Sequence, residues 1–368
     1  MRPLGWAGRF RDEIADAYLL GPVRVATGIL LGWHAVMAAN ELARLGYFGD
    51  LFHTAMIPDA LVPSEKAYAL GLAARLGLAM LAAIGIWARP ALALSAVLGM
   101  WHLLSDRNQF HHNRYSLFCY AFLLALTPCD RSWRLWERTV QELRRGPFWA
   151  VHLAQIQVSI IYLASGGSKL LDPDWRDGLV LAERIARNAP LAIARGVPPG
   201  VVAWLGSADT ASALAKLAIM TELLLCTAIW LRPGRVIALW WGVWFHIAIQ
   251  LTSNVETFSI LAVAMYGLFV TPDYRARKLR YDPSRLTGTI TGIAVPLLDW
   301  FARFEVEPWE PDGQRGHSVV VIRRDGERAT GVRAFAMLTR CLPLLFPLWA
   351  PVALVASFTR RGDLKTRA

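Results

Sequence analysis

The run Ala211-Ser-Ala-Leu-Ala-Lys-Leu-Ala-Ile-Met-Thr-Glu222-Leu-Leu-Leu-Cys-Thr-Ala-Ile-Trp-Leu231, then Arg232-Pro-Gly-Arg235, then Val236-Ile-Ala-Leu-Trp-Trp-Gly-Val-Trp-Phe-His246, decides how the chain is read. Two apolar segments flank a four-residue basic turn. Each is of the order of the 20 residues that an α-helix needs to cross a bilayer. Each carries one ionisable group near its middle. Glu222 lies about 10 residues before the turn and His246 about 12 after it. At 1.5 Å per residue, both sit roughly 15–18 Å deep. An acid at that depth is costly unless paired, so it marks a functional site by default. The equal depths predict a Glu222–His246 pair in which the carboxylate orients or charges the imidazole.

Working outward, the same apolar texture recurs. Of 368 residues, 55% are hydrophobic and 18% charged, below the roughly 25% of a soluble protein. Mean hydropathy is +0.35. An all-α membrane bundle of eight helices is predicted, at about 19–40, 67–88, 90–105, 114–129, 148–167, 210–231, 235–253 and 255–271. The opening Met-Arg-Pro-Leu-Gly-Trp lacks a compact signal-peptide pattern, so the first helix is expected to remain as an anchor. The net charge of +11 fits the positive-inside rule and anionic lipid better than nucleic acid. Arginines crowd the stretch before helix one and the even-numbered turns, which predicts both termini in the cytoplasm of a multi-pass inner-membrane protein. Residues 130–147, with Trp133 and Trp136 among Arg131, Arg134 and Arg138, read as an amphipathic surface helix.

Past residue 272 charge returns. Strands are predicted at 278–281, 304–309 and 318–323, with helices at about 286–302 and from about 331. Three prolines in 341–358 argue against a ninth span. The division is thus 1–272, a membrane domain, and 273–368, a small α/β domain.

Four cysteines with no CxxC exclude a disulfide scaffold and a zinc ribbon. No GxSxG, HExxH or P-loop is present. Adjacent His111 and His112 lack a third ligand at metal spacing. His112 and Asn113 are better read as hydrogen-bond donors to a ligand or to helix ends. Lys169 ends the fifth helix in Tyr162-Leu-Ala-Ser-Gly166-Gly-Ser-Lys169, where desolvation could turn it into a base or snorkelling carry it to the interface. The glycines permit close backbone approach or a helix end. Trp175 reads equally as an interfacial anchor. Arg24, Arg75 and Lys216 also fall inside apolar runs. No internal repeat suggests a transporter.

Several of these stretches together resemble one family. Asn108-Gln-Phe-His-His-Asn-Arg-Tyr115, Tyr162…Gly166-Gly-Ser-Lys169…Trp175-Arg-Asp-Gly178, Glu222, His246 and Glu256-Thr-Phe-Ser259 are similar to the HTTM (horizontally transferred transmembrane) domain, to which the vitamin K-dependent γ-glutamyl carboxylases are related. The resemblance implies a lipophilic quinol-like cofactor, such as vitamin K hydroquinone, with Lys169 as the base that deprotonates it and carboxylase-like lyase or ligase chemistry downstream. It further implies Glu222 and His246 as the buried polar end of the site, assisted by His112, Asn113, Tyr162 and Gly166. Ser168 stands where the carboxylases carry a second lysine, and their large lumenal domain has no counterpart here. The tail, from Leu279-Arg-Tyr-Asp-Pro-Ser-Arg-Leu-Thr-Gly288 to Gly331-Val-Arg-Ala-Phe335, resembles the thioredoxin-like DCC family with Arg285 and Gly288 in place of its two cysteines. Such a domain is redox-inactive and suited to binding a protein partner. The alternative to an enzyme is a non-catalytic membrane scaffold or maturation partner.

Overall fold

The computed structural model describes residues 14–17, 19–47, 54–134, 145–231, 234–253, 255–270, 277–299, 303–309, 317–322, 326, 328–349 and 351–356. The chain is mostly helical and divides into two compact units, Met1–Phe269 and Val270–Ala368.

The first unit opens with strand β1 (Ile14–Asp16), followed by α1 (Leu20–Leu45), α2 (Glu65–Ile84), α3 (Ala88–Ser105) and α4 (His112–Leu126). Strand β2 (Arg145–Pro147) pairs antiparallel with β1. Then come α5 (Trp149–Leu171), the short α6 (Pro173–Arg176), α7 (Leu179–Ala194), α8 (Pro199–Leu205), α9 (Ala208–Ala228), α10 (Arg235–Thr252) and α11 (Phe258–Met265). A 3-10 turn, Tyr266–Phe269, closes the unit. Local chemistry sets several ends. Ser64 caps α2 by accepting from Ala67 N, and Gly85, at φ 85°, ends it. Pro173 starts α6 at a position whose missing N–H costs nothing.

A helix stands at each of the eight expected places. Three of them, α1, α2 and α9, are long and apolar enough to cross a membrane. The others are shorter or more polar, and the expected eighth span is instead the eight-residue α11 and its 3-10 turn. The surface helix expected at 130–147 is not formed at its described ends. Asp130–Trp133 is turn and bend, with Trp133 at φ 55°, and Arg145–Pro147 is strand. Its centre, 135–144, lies outside the described residues. The stretch between the fifth and sixth spans, read as a loop, contains α6, α7 and α8, with Pro190 inside α7.

In the second unit, β3 (Arg277–Tyr281), α12 (Leu286–Leu298), β4 (Phe304–Pro308), β5 (Val319–Ile322), β6 (Arg328–Thr330) and α13 (Gly331–Cys341) follow the expected order, with β6 added. The sheet order is β4-β3-β5-β6; β3 and β4 run parallel and the other pairs antiparallel. Leu279, Val321 and Ala329 from the strands share one core with Val295 of α12 and Ala334 and Leu338 of α13. Pro343–Leu348 forms a 3-10 helix rather than a span.

Candidate functional site

Helix α5 organises the site. Tyr162, Ser165, Gly166 and Lys169 recur at i, i+3, i+4 and i+7, so one face of the helix presents all four. This face meets α9 at one level and α10 with the Tyr266 turn at the next.

At the α9 level, Lys169 Nζ donates to both carboxylate oxygens of Glu222, at 2.7 and 2.6 Å, and to Ser165 Oγ at 2.6 Å. Ser165 Oγ donates in turn to Glu222 Oε1 at 3.1 Å. The two charged side chains are only 16% and 9% exposed, so this is a buried ion pair rather than a surface one. Gly166 makes it possible. A β carbon there would lie 3.0 Å from the Leu223 side chain and 3.1 Å from Glu222 Cβ, so a larger residue needs these neighbours to shift. Trp175 covers the pair, with Lys169 Nζ 5.2 Å and the Arg184 guanidinium 5.1 Å from its ring centre.

One turn earlier on α5, the Tyr162 hydroxyl lies 2.7 Å from His246 Nε2 and 2.5 Å from the Tyr266 hydroxyl. All three residues are buried. Gly242, one turn before His246 on α10, makes room for the Tyr266 hydroxyl, which would lie 2.1 Å from any β carbon at that position. His246 Nδ1 is buried with no hydrogen-bond partner among the described residues, and the rings of Phe245 and Phe258 pack edge-on against the imidazole.

The structure thus brings Tyr162, Gly166, Lys169, Glu222 and His246 together, but not in the expected pairing. Glu222 bonds Lys169 and Ser165, whereas His246 bonds Tyr162. Equal depth in two helices does not fix which way each side chain faces, and α5 stands ready with a partner for each. His112 and Asn113 are used differently. Asn113, buried at the start of α4, donates Nδ2 to Val255 O at 3.3 Å, tying α4 to the turn before α11. His112 stacks on His111 with ring centres 4.4 Å apart. Ser165 and Tyr266 were not singled out from sequence. The spacing of Ser165 from Tyr162 and Lys169 is a usable signal; nothing local marks Tyr266.

Among the described residues no group of three or more His, Cys, Asp or Glu side chains gathers as a metal cage. Compared with known families, the chain matches the HTTM domain over residues 13–274. No curated protein and no solved structure matches it.

Proposed function

The chain belongs to the HTTM domain family, and from that membership we propose that it is a polytopic membrane enzyme whose Lys169–Glu222 pair carries out carboxylase-like proton chemistry on a lipophilic quinol-like partner. One observation carries the reading: Lys169 Nζ lies 2.6–2.7 Å from both oxygens of a buried carboxylate. At that distance the ammonium proton can pass directly to Glu222. In this reading that transfer leaves an amine beside a carboxylic acid. Lys169 then holds a lone pair and acts as a general base, while Glu222 stores the proton. Ser165 Oγ touches both groups and holds them in line as the proton moves.

A bound hydroquinone supplies two acidic hydroxyls and two reducing electrons. The residues fit such a group in two respects. Lys169 retains partial exposure, so an acidic hydroxyl can reach it. The orphaned Nδ1 of His246 offers a second polar contact inside aromatic walls. In this reading Tyr162 and Tyr266 hold the imidazole in place, and His112 and Asn113 support the mouth of the site.

The helical bundle of the first unit sits in the inner membrane with both termini in the cytoplasm; the arginine-rich turns support that orientation. The second unit is a DCC-like, redox-inactive domain that binds a protein partner. A β-α-β unit followed by a hairpin and a helix supports the thioredoxin-like reading. Arg285 and Gly288, in place of thiols, support inactivity.

A second reading, a non-catalytic scaffold, is favoured by the close packing at Gly166, where the ion pair also locks α5 to α9. Two measurements on the purified full-length protein separate the readings. Solvent extraction and mass spectrometry should recover an isoprenoid quinone from the wild type and less from K169A. Acylation of Lys169 should be slowed by bound quinone and recover once the quinone is extracted. An empty extract together with acylation that added quinone does not change would leave the scaffold.

A further inference from the structure

A cavity of about 740 Å³ lies in the first unit, along α1. Its lining includes His34, Glu41 and Arg44 from α1, Arg114 from α4, Arg195 after α7, and Glu256. His34 to Arg44 spans ten residues, so the cavity runs roughly 15 Å along the helix. None of the residues of the Lys169 node lines it.

Its charges do not cancel. Arg114 donates to Glu256 at 3.1 and 3.3 Å, which accounts for that carboxylate. Arg44 and Glu41 contribute one charge of each sign. Arg195 donates to the carbonyl oxygens of Gln250 and Ser253 and has no carboxylate partner among the described residues. Behind His34 sits Arg75, 1% exposed, whose Nη2 donates to His34 Nδ1 at 2.8 Å and whose other side-chain partner is His102 Nδ1 at 3.4 Å. It too lacks a carboxylate among the described residues.

A guanidinium only donates, so His34 Nδ1 must carry its lone pair towards Arg75 and Nε2 must carry the proton. His34 is 92% buried, and that N–H has no partner among the described residues. Its ring lines the cavity. The wall therefore combines an unused donor, an uncompensated cation behind it and a second at Arg195. Part of the lining is apolar. Trp33 and Met37 line the cavity one turn apart and are 61% and 53% exposed, continuing the exposed stripe of Ile29 and Val36.

We propose that this cavity binds one anionic amphiphile, its carboxylate or phosphate head against His34 and Arg195 and its chain over Trp33 and Met37. The head supplies the countercharge that Arg75 and Arg195 lack. Gln250 Oε1, buried without a partner among the described residues, accepts from any hydroxyl on that head. The site is independent of the Lys169 chemistry.

The test uses the purified full-length protein in neutral detergent, with radiolabelled oleate and phosphatidylglycerol as probes and oleyl alcohol and phosphatidylcholine as uncharged or zwitterionic controls. Retention of about one anionic amphiphile per chain is expected, about tenfold tighter than the matching control. Which acid is held separates a fatty carboxylate from a phospholipid. H34F and R195Q should each weaken retention about tenfold; R195Q, at the rim, keeps the test open if H34F does not fold. Equal retention of the controls, unchanged retention in folded R195Q, or affinity for inorganic phosphate without either lipid overturns the proposal.

Discussion

Gly166 of α5 faces Glu222 of α9 so closely that an added β carbon would stand 3.1 Å from Glu222 Cβ, and this contact sets the reach of the Lys169 ion pair. Replacing Gly166 with Ala requires Leu223 and Glu222 to yield by a few tenths of an ångström. G166V requires the helices to part. Overpacking of this kind costs about 1–3 kcal/mol. G166V should therefore lower the unfolding midpoint in detergent more than G166A and weaken the Lys169–Glu222 coupling in a double-mutant cycle. Equal stability of the two variants would show that the helices are not held at contact distance here.

The ion pair has a stability signature of its own. Removing one partner of a buried pair strands the other charge, at about 3–5 kcal/mol, whereas replacing both with apolar groups of similar volume is often neutral or stabilising. K169M and E222L should each destabilise strongly, and K169M/E222L should regain most of the loss. If Lys169 is the base, the double variant folds but retains no quinone and shows no chemistry. If the pair only packs, the double variant behaves as wild type. Additive destabilisation would contradict the pairing itself.

The aromatic node makes a separate prediction. The Tyr162 hydroxyl serves both His246 Nε2 and the Tyr266 hydroxyl. Y162F leaves these two buried groups short of a partner, at about 1–3 kcal/mol for each group left unsatisfied. Y266F removes only the outer member and should cost less. G242A forces the Tyr266 ring aside, because its hydroxyl already lies 2.1 Å from where the new carbon would sit. The ranking Y162F above Y266F in destabilisation, measured by scanning fluorimetry of the intact protein, checks the network. The reverse order would place Tyr266, not Tyr162, at its centre.

Much of this site was legible because charge in an apolar run is conspicuous. Lys169, Glu222 and His246 stood out for that reason, and counting along α9 and α10 set the last two at similar depth. Depth left orientation open, so the Glu222–His246 pairing failed, while the periodicity of Tyr162, Ser165 and Lys169 on α5 held the answer. Tyr266 was invisible, since a tyrosine in an apolar turn is ordinary and its partner lies 104 residues away. Helix α7 was hidden by Glu183, Arg184, Arg187 and Pro190, which broke the apolar run and made the segment read as loop. In the second unit, alternation and turn residues were enough to mark β3, β4 and β5. The three-residue β6 is too short for such a pattern.

The second unit offers a prediction in pH. Asp282 Oδ1 accepts from the Ser284 N–H at 2.9 Å and from the Ser284 hydroxyl at 2.5 Å, while Oδ2 accepts from Arg285 Nε at 3.2 Å. The Ser284 hydroxyl foremost, then its N–H and the Arg285 charge, hold the carboxyl below its ordinary range against the opposing effect of burial. A carboxyl lowered on folding stabilises the fold above its unfolded pKa, about 3.9, and that stability is lost as pH falls through the folded value. The hydrogen-exchange protection factors of β3 and α12 in the intact protein, corrected for intrinsic rates, should therefore fall on acidification below about pH 4. D282N cannot ionise, so its protection should be lower at neutral pH and flatter across the acid range. Parallel acid losses in wild type and D282N would assign the transition to another group.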